Sequence, residues 1–489
     1  MADDLKKKAT TGIVWTTIQK FSSIGISFVS GIILARLLTP YDYGCIGMLA
    51  VFMALASTLI DGGFGSALIQ KKQPSQDDYS TIFFWNMGMT TLMYVVLFFC
   101  APVIARFYDI PLLSKVLRVQ GLVLFINAFN IIQNNILKKR INFKAISIVT
   151  IITSVTSLAI TIWMAYKGFG VWALVAQNMI TAAIPAVVFW FYVKWKPSWS
   201  FSWKSFKSLF SFGFFMFMSN LINTFCTKLS SLLIGRLYSP ATLGYYSKAM
   251  GTEELASNTI SSVMTQVTYP LYAQVQDDKA VLGNMVRRLT MTISLITFPM
   301  MAMLMLAAKP IFVLLYSDKW IASVPYFQVL CLVGLSSCLQ AVNTQTIAAI
   351  GKSKLMFYWT IVKRTVGMTF IVGGLFWFGM KGLLAGVVFY NWFCYFVNIG
   401  LVSKYIGYRW NKQLYDLLPI TVVTIVGAGV AFLVGYFCDF NLYLDGFLKL
   451  AVFSLFLIGW IIIFKPESFR YFLTIIPTKY RVWEKLKKG

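Results

Sequence analysis

Apolar runs of about twenty residues or more recur along nearly the whole chain, separated by short polar connections. Spanning a hydrocarbon core of about 30 Å takes about 20 residues of helix. Fourteen transmembrane helices are therefore expected, at 10–37, 41–68, 79–104, 112–137, 144–166, 170–194, 207–236, 241–272, 284–307, 321–350, 356–379, 382–404, 415–437 and 444–464. No connection is long enough to form a soluble domain. The expected fold class is all-α and polytopic, with the working parts of the protein inside the membrane.

The cationic positions orient these helices. With the N-terminus inside, the inside segments hold 30 Lys and Arg against 11 outside, and two more, Lys20 and Lys228, lie deep in helices. Lys and Arg collect on the cytoplasmic side, so both termini are expected to be cytoplasmic. The Lys6-Lys7-Lys8 cluster precedes an apolar stretch too long for a signal peptide and without a small-residue cleavage site, which reads as the first helix. After Lys465, the residues Phe469, Tyr471, Phe472, Ile475, Ile476 and Trp483 alternate with basic ones, as expected of a tail lying along the inner interface.

An offset of 200 residues pairs Ser30 with Ser230, Arg36 with Arg236, Leu37 with Leu237, Pro40 with Pro240 and Gly44 with Gly244. The correspondence continues in order as the offset drifts, pairing Pro102 with Pro310, Tyr108 with Tyr316, Lys144 with Lys354 and Gly170 with Gly382. Six helices per copy is an even number, so both copies enter from the same side and are related by an axis along the membrane normal. The chain divides on this reading into a six-helix lobe at 1–204, a second at 205–408, and helices 13 and 14 with the basic tail at 409–489. Alternating access by rocking one lobe against the other follows from such a plan.

Composition narrows the chemistry. Hydrophobic residues make up 58% of the 489 positions and charged residues 12%, more apolar side chain than one soluble interior hides. A net charge of +26 would suggest nucleic acid in a soluble chain, but these cations sit in short loops between spans, so the expected partner is the bilayer and not nucleic acid. The chain has no histidine, which removes imidazole metal sites and Ser-His or Cys-His catalysis. The seven cysteines are scattered without a Cys-x-x-Cys pair and read as packing residues. No catalytic residue, metal site or cofactor is expected.

Polar residues fall in stripes at helical spacing. The first predicted helix carries Thr16, Lys20, Ser23, Ser27 and Ser30 on one face, and its repeat partner carries Asn220, Asn223, Thr227 and Ser230 with Lys228 beside them. The fourth shows Asn127, Asn130 and Asn134, and its partner the tenth shows Ser337, Gln340 and Thr344. Glu254, Asn258, Ser261 and Thr265 continue the theme on the eighth. Interhelical hydrogen bonding accounts for any one such residue; recurrence at repeat-matched positions suggests a shared hydrated lumen. Ionisable groups at membrane depth are functional candidates: Lys20, Lys228, Lys363 and Arg364 suit a substrate with phosphate or acidic sugars, with Ser23, Asn220 and Asn223 beside them as further cavity candidates. Asp61, Glu253 and Glu254 are the embedded carboxylates, placed to bind a coupling proton or sodium ion or to neutralise nearby cations. Arg36 and Arg236, at the outer helix ends before Pro40 and Pro240, read as loop braces.

The segment Leu34-Ala-Arg-Leu-Leu-Thr-Pro-Tyr-Asp-Tyr-Gly44 resembles the first-loop signature of the polysaccharide transport family, within the superfamily of multidrug, oligosaccharidyl-lipid and polysaccharide exporters. Asp61-Gly-Gly-Phe-Gly-Ser-Ala-Leu-Ile-Gln70, Gly170-Val-Trp-Ala-Leu-Val-Ala-Gln177, and Gly235-Arg236 through Gly244-Tyr245-Tyr246 are similar to further family segments. The likeness spans essentially the whole chain and is nearest to the WzxC-like lipopolysaccharide and exopolysaccharide flippases. It implies a V-shaped pair of lobes around a cationic cavity in the bacterial cytoplasmic membrane. It also implies an undecaprenyl-pyrophosphate-linked oligosaccharide as substrate, a lipid groove bordered by helices 13 and 14, and polysaccharide polymerase and export machinery as partners. Glu253 and Glu254 match no family motif. A cation-coupled multidrug exporter of the same superfamily would present acidic or aromatic lumen groups. A membrane-embedded polymerase would need a sizeable periplasmic loop, and a non-catalytic component of an assembly complex would leave the matched polar stripes without a purpose.

Overall fold

The computed structural model describes residues 2–71, 73–275, 277–350, 353–438 and 440–475, and the regular elements among them are all helical. They run α1 (Ala2–Leu37), α2 (Pro40–Asp61), α3 (Phe64–Gln70), α4 (Gln76–Phe107), α5 (Leu112–Lys139), α6 (Phe143–Tyr166), α7 (Val171–Val193), α8 (Trp203–Leu237) and α9 (Pro240–Gln274). There follow α10 (Lys279–Leu306), α11 (Ala308–Tyr316), a 3-10 turn (Asp318–Ser323), α12 (Val324–Ala349), α13 (Ser353–Ile406), α14 (Trp410–Phe437), α15 (Leu442–Phe464) and α16 (Glu467–Ile475). Eleven segments of the described residues are long and apolar enough to cross a membrane. One of them, Tyr358–Ile406, holds two of the expected spans, because Gly379 (φ 60°, ψ −142°) breaks α13. That backbone is open to glycine and strained for residues with a Cβ.

Two boundaries differ from the sequence expectation. The span expected at 41–68 ends at Asp61, where Gly62 (φ 52°) and Gly63 (φ 76°) turn the chain into the separate short helix α3. Between the spans expected at 284–307 and 321–350 lies the unexpected helix α11, whose buried Phe312 and Tyr316 plug it into the protein. A nine-residue apolar stretch is too short to register as a membrane span.

The chain forms two compact units, Met1–Ser247 and Lys248–Gly489. In the first, α4 packs on α5, α1 and α7 on α6, α5 on α7, and α8 on α2, α3 and α4. The seventh expected span therefore packs within this unit. One of its core clusters centres on Phe64, Ile82, Phe83, Ile132 and Phe189, edged by Trp85, Trp190, Trp195 and Phe206. In the second unit α10 is the central post, touching α12, α14, α15 and α16, and α12 pairs with α13. Large apolar side chains face outward instead: Phe191 is 79% exposed, Trp377 82% and Ile463 73%. So much exposed apolar surface is an aggregation liability in water and ordinary in lipid.

Two turns paired by the 200-residue offset meet in space. α2 begins with Thr39 as N-cap, its hydroxyl accepting from the Asp42 N–H while the Asp42 carboxylate accepts from the Thr39 N–H at 2.9 Å. α9 begins the same way, with the Thr242 N–H donating to the Ser239 hydroxyl at 3.1 Å. Each cap positions a Pro-x-x-x-Gly turn, and the turns clasp: Gly44 lies against the Pro240 carbonyl, and Gly244 against the Pro40 carbonyl. A Cβ at either glycine would fall on the opposing backbone oxygen. Arg236 lies 5.1 Å from the Phe107 ring centre, in keeping with a bracing role at that end of α8.

Within the second unit, the Arg287 guanidinium on α10 makes forked hydrogen bonds to Asp416 on α14 (2.7 and 2.8 Å) and to Glu467 on α16 (3.0 and 2.8 Å). The Tyr408 hydroxyl donates to the same Asp416 carboxylate at 2.7 Å. This bracket holds α16, the described part of the expected interfacial tail; Ile476 and Trp483 lie outside the described residues.

Candidate functional site

The sequence-derived candidates separate into groups with different surroundings. On α1, the Ser147 hydroxyl of α6 reaches Gln19 and the Trp15 carbonyl, which fixes the face of α1 that packs. Lys20, the next residue, is half-buried, and Ser23 is half-buried with a buried hydroxyl lacking a hydrogen-bond partner among the described residues. Thr16 donates to the Gly12 carbonyl of its own helix at 2.8 Å, a local bond that needs no lumen. On α8, Asn220, Asn223 and Thr227 share an exposed face, whereas Lys228 is half-buried. Lys228 lies one turn beyond Thr224, whose hydroxyl meets that of Thr58 on α2 at 3.2 Å.

In the second unit, the Lys363 ammonium donates to Asn398 at 3.0 Å, and Asn398, 4% exposed, passes the contact to the Thr344 hydroxyl of α12 at 3.4 Å. Arg364 points elsewhere, its guanidinium 5.7 Å from the Tyr390 ring centre. The two neighbours thus take different directions, as adjacent helical positions must. Gln340 donates to the Asn391 carbonyl at 3.0 Å, so Gln340 and Thr344 of the expected stripe bond to α13, while Ser337 donates to the Gly334 carbonyl of its own helix at 3.1 Å.

The carboxylates also part company. Asp61 closes α2 and accepts from the backbone N–H groups of Gly63 and Gly65, which makes it a cap for the turn into α3. Glu254 is exposed. Glu253 is 4% exposed, packed against Gly334 and Met301, with one carboxyl oxygen unpartnered among the described residues.

Several polar residues escaped the sequence reading. Lys248 on α9 is buried, its ammonium 3.9 Å from the Tyr316 ring centre and 5.8 Å from that of Trp320. Two cavities of about 390 and 300 Å³ adjoin within the first unit, sharing Ser57, Leu124 and Asn127. They add Gln120, Asn178 and Thr181 to the expected Asn127, Asn130 and Asn134. Gln120 sits seven residues before Asn127, a spacing that extends the asparagine stripe and could have been read. A third cavity, of about 640 Å³, lies among α10, α12, α13, α14 and α15; it is lined mainly by apolar residues such as Phe298, Trp392, Ile425 and Phe432, with Lys309, Asp445 and Lys449 also on its wall.

The family model described as polysaccharide biosynthesis protein matches residues 33–325. The teichuronic acid biosynthesis protein TuaB of Bacillus subtilis is 28% identical over 73% of this chain and 74% of its own length. The lipopolysaccharide biosynthesis protein WzxC of Escherichia coli is 24% identical over 86% of this chain and 87% of its own. The succinoglycan biosynthesis transport protein ExoT of Rhizobium meliloti is 23% identical over 84% and 82%. Among solved structures, the inward closed lipid II flippase MurJ superposes with a TM-score of 0.70 over 92% of this chain and all of its own, at 16% identity. An inward-facing multidrug transporter of the MATE family gives 0.61 over 81% of this chain and 98% of its own, at 16% identity. The chain belongs to the polysaccharide biosynthesis protein family, as a multi-pass membrane transport protein with the fold that the lipid II flippase and the multidrug transporters share.

Proposed function

We propose that the protein is a flippase that moves an undecaprenyl-pyrophosphate-linked oligosaccharide, the repeat unit of a surface polysaccharide, from the cytoplasmic to the periplasmic leaflet. The observation that carries this reading is a transporter fold with amide and hydroxyl side chains lining cavities between its helices, while its outer surface exposes many Phe, Trp, Ile and Leu side chains. Sugars need the first and their lipid carrier needs the second. The similar proteins agree with it: one is a succinoglycan biosynthesis transport protein, and one solved structure of the same fold is a lipid II flippase.

On this proposal the chain crosses the membrane fourteen times, with α8, α9 and both halves of α13 counted as crossings and both termini cytoplasmic. Six-helix lobes at 1–204 and 205–408 rock about a cationic cavity, with 409–489 appended. Lys20, Lys228, Lys363 and Arg364 hold the pyrophosphate, aided by Ser23, Asn220 and Asn223, since lysine and arginine bind oxyanions strongly where water is scarce. The prenyl chain runs in the apolar cavity bordered by α14 and α15, whose lining of Phe298, Trp392 and Phe432 suits it. Of the three carboxylates proposed to couple an ion gradient, Glu253 is the strongest candidate, being buried and partly unpartnered, ahead of the capping Asp61 and the exposed Glu254. Polysaccharide polymerase and export machinery would receive the product.

The test is translocation of lipid-linked oligosaccharide in proteoliposomes by Lys228→Ala and Arg364→Ala. Loss of flux in both, with folding and insertion intact, supports the cationic path; full flux in both removes these assignments.

A further inference from the structure

We propose that the cleft between α2, α5 and α7 is a binding subsite for the uncharged hydroxyl face of the glycan, formed by side-chain amides. The inference rests on the flippase reading for the source of the glycan and assigns its recognition to residues apart from the cations that hold pyrophosphate.

The cleft consists of the two adjoining cavities of the first unit. Its polar lining is almost entirely amide and hydroxyl: Gln120, Asn127, Asn130 and Asn134 from α5, Asn178 and Thr181 from α7, and Ser57 from α2. Gln120, Asn127 and Asn134 repeat every seven residues, so they stack on one face of α5 over about 21 Å at 1.5 Å per residue. An amide offers a carbonyl acceptor and two N–H donors in one plane. Vicinal sugar hydroxyls donate and accept at once, so a ladder of amides matches successive rings.

Two observations argue against ordinary helix-to-helix packing. Polar residues used as interhelical glue spend their donors and acceptors on the neighbouring helix, as Gln340 does with the Asn391 carbonyl. Here the carbonyl oxygens of Gln120, Asn130 and Asn134 are buried with no hydrogen-bond partner among the described residues, and Gln120 is only 7% exposed. Buried unsatisfied acceptors of this kind are uncommon and ask for a ligand or water. Asn127 is exposed and lines both cavities.

Charge decides the class of ligand. Neither cavity has Lys or Arg in its lining, and its one charged residue is Asp61. Phosphate and uronate are therefore disfavoured near Asp61 by like charge, while a neutral polyol loses nothing. Leu49 and Met53 supply apolar surface for the C–H faces of the rings.

The test uses the full chain in detergent and, as probe, the free oligosaccharide released by mild acid from the lipid-linked pool of the bacterium encoding it. That probe has neither lipid nor phosphate. Isothermal titration should show binding by the wild type, weakened about tenfold by Asn127→Leu and by Asn134→Leu, with Asn127→Gln retaining most of it and the loop variant Lys167→Ala unchanged. Monodisperse elution of each variant checks folding. Absence of binding by the wild type, or unaltered binding in both leucine variants, overturns the subsite. Amide-dependent binding without translocation of the lipid-linked form leaves the subsite standing and removes the flippase reading instead.

Discussion

Substituting Gly44 or Gly244 by alanine tests whether the two Pro-x-x-x-Gly turns of the first unit are clasped as the structure shows. At each glycine a Cβ would fall on the opposing proline carbonyl, and a backbone oxygen in a capped first turn has no rotamer by which to withdraw. The helices must move apart by the width of a methyl group. Overpacking of this kind costs about 1–3 kcal/mol. Both glycines meet at one contact, so the separation forced by the first substitution also accommodates the second, and the pair should cost about as much as one alone. Gly88→Ala on α4 is the control, since nothing lies within 4 Å of the position a Cβ would take there. Unfolding of the purified protein in mixed micelles, followed by loss of ellipticity against denaturant, gives each free energy. Single losses below about 0.5 kcal/mol, or a double variant showing the full sum of the singles, would refute the reciprocal clasp.

Other perturbations follow from the ion bracket and the buried lysine. Arg287→Ala strands Asp416, whose side chain is 4% exposed, and should cost about 3–5 kcal/mol. Glu467→Gln removes only a partner that is 45% exposed and should cost about 0–1 kcal/mol; equal losses in the same unfolding assay would contradict the burial difference. The hydrogen bond from Tyr471, together with Arg287, holds the Glu467 carboxyl below its usual range despite partial burial. A depressed carboxyl contributes stability above its ordinary value and loses it as pH falls through the lower folded value, so α16 should release below roughly pH 4. Pepsin cleavage within 467–475 should rise there in the wild type, relative to Glu467→Gln, in which the link is already weakened at every pH. Asn398→Leu leaves the Lys363 ammonium without its acceptor and should cost about 1–3 kcal/mol, with part of the loss recovered when Lys363→Met is added.

Much of the architecture was legible because membrane helices are long and uniform in pattern. The Pro40–Gly44 and Pro240–Gly244 match pointed to equivalent turns, though not to their contact with each other. The end of α2 was marked by Asp61-Gly62-Gly63, a turn signal overridden by the apolar run that continues through it. The site was less legible. Glu253 and Glu254 are adjacent and identical in type, and only packing distinguishes a buried acid from an exposed one. Asn398 lies 35 residues from the lysine it holds, and Asp416 and Glu467 lie 129 and 180 residues from Arg287, separations at which no local periodicity carries information. Lys248, inside the span expected at 241–272, was not singled out, and the structure places its ammonium 3.9 Å from the Tyr316 ring centre. Gln120 was the recoverable omission, standing two turns before an asparagine stripe that had been recognised.

The measurement that bears most directly on the account is transbilayer movement of lipid-linked oligosaccharide in proteoliposomes containing the wild-type chain. Substrate placed in one leaflet is scored for access to a membrane-impermeant glycosidase on the other side, with protein-free liposomes in parallel. Access that appears only with the protein, and that slows when the imposed proton or sodium gradient is collapsed, is the predicted result; access no faster than in protein-free liposomes under either gradient would contradict the assignment.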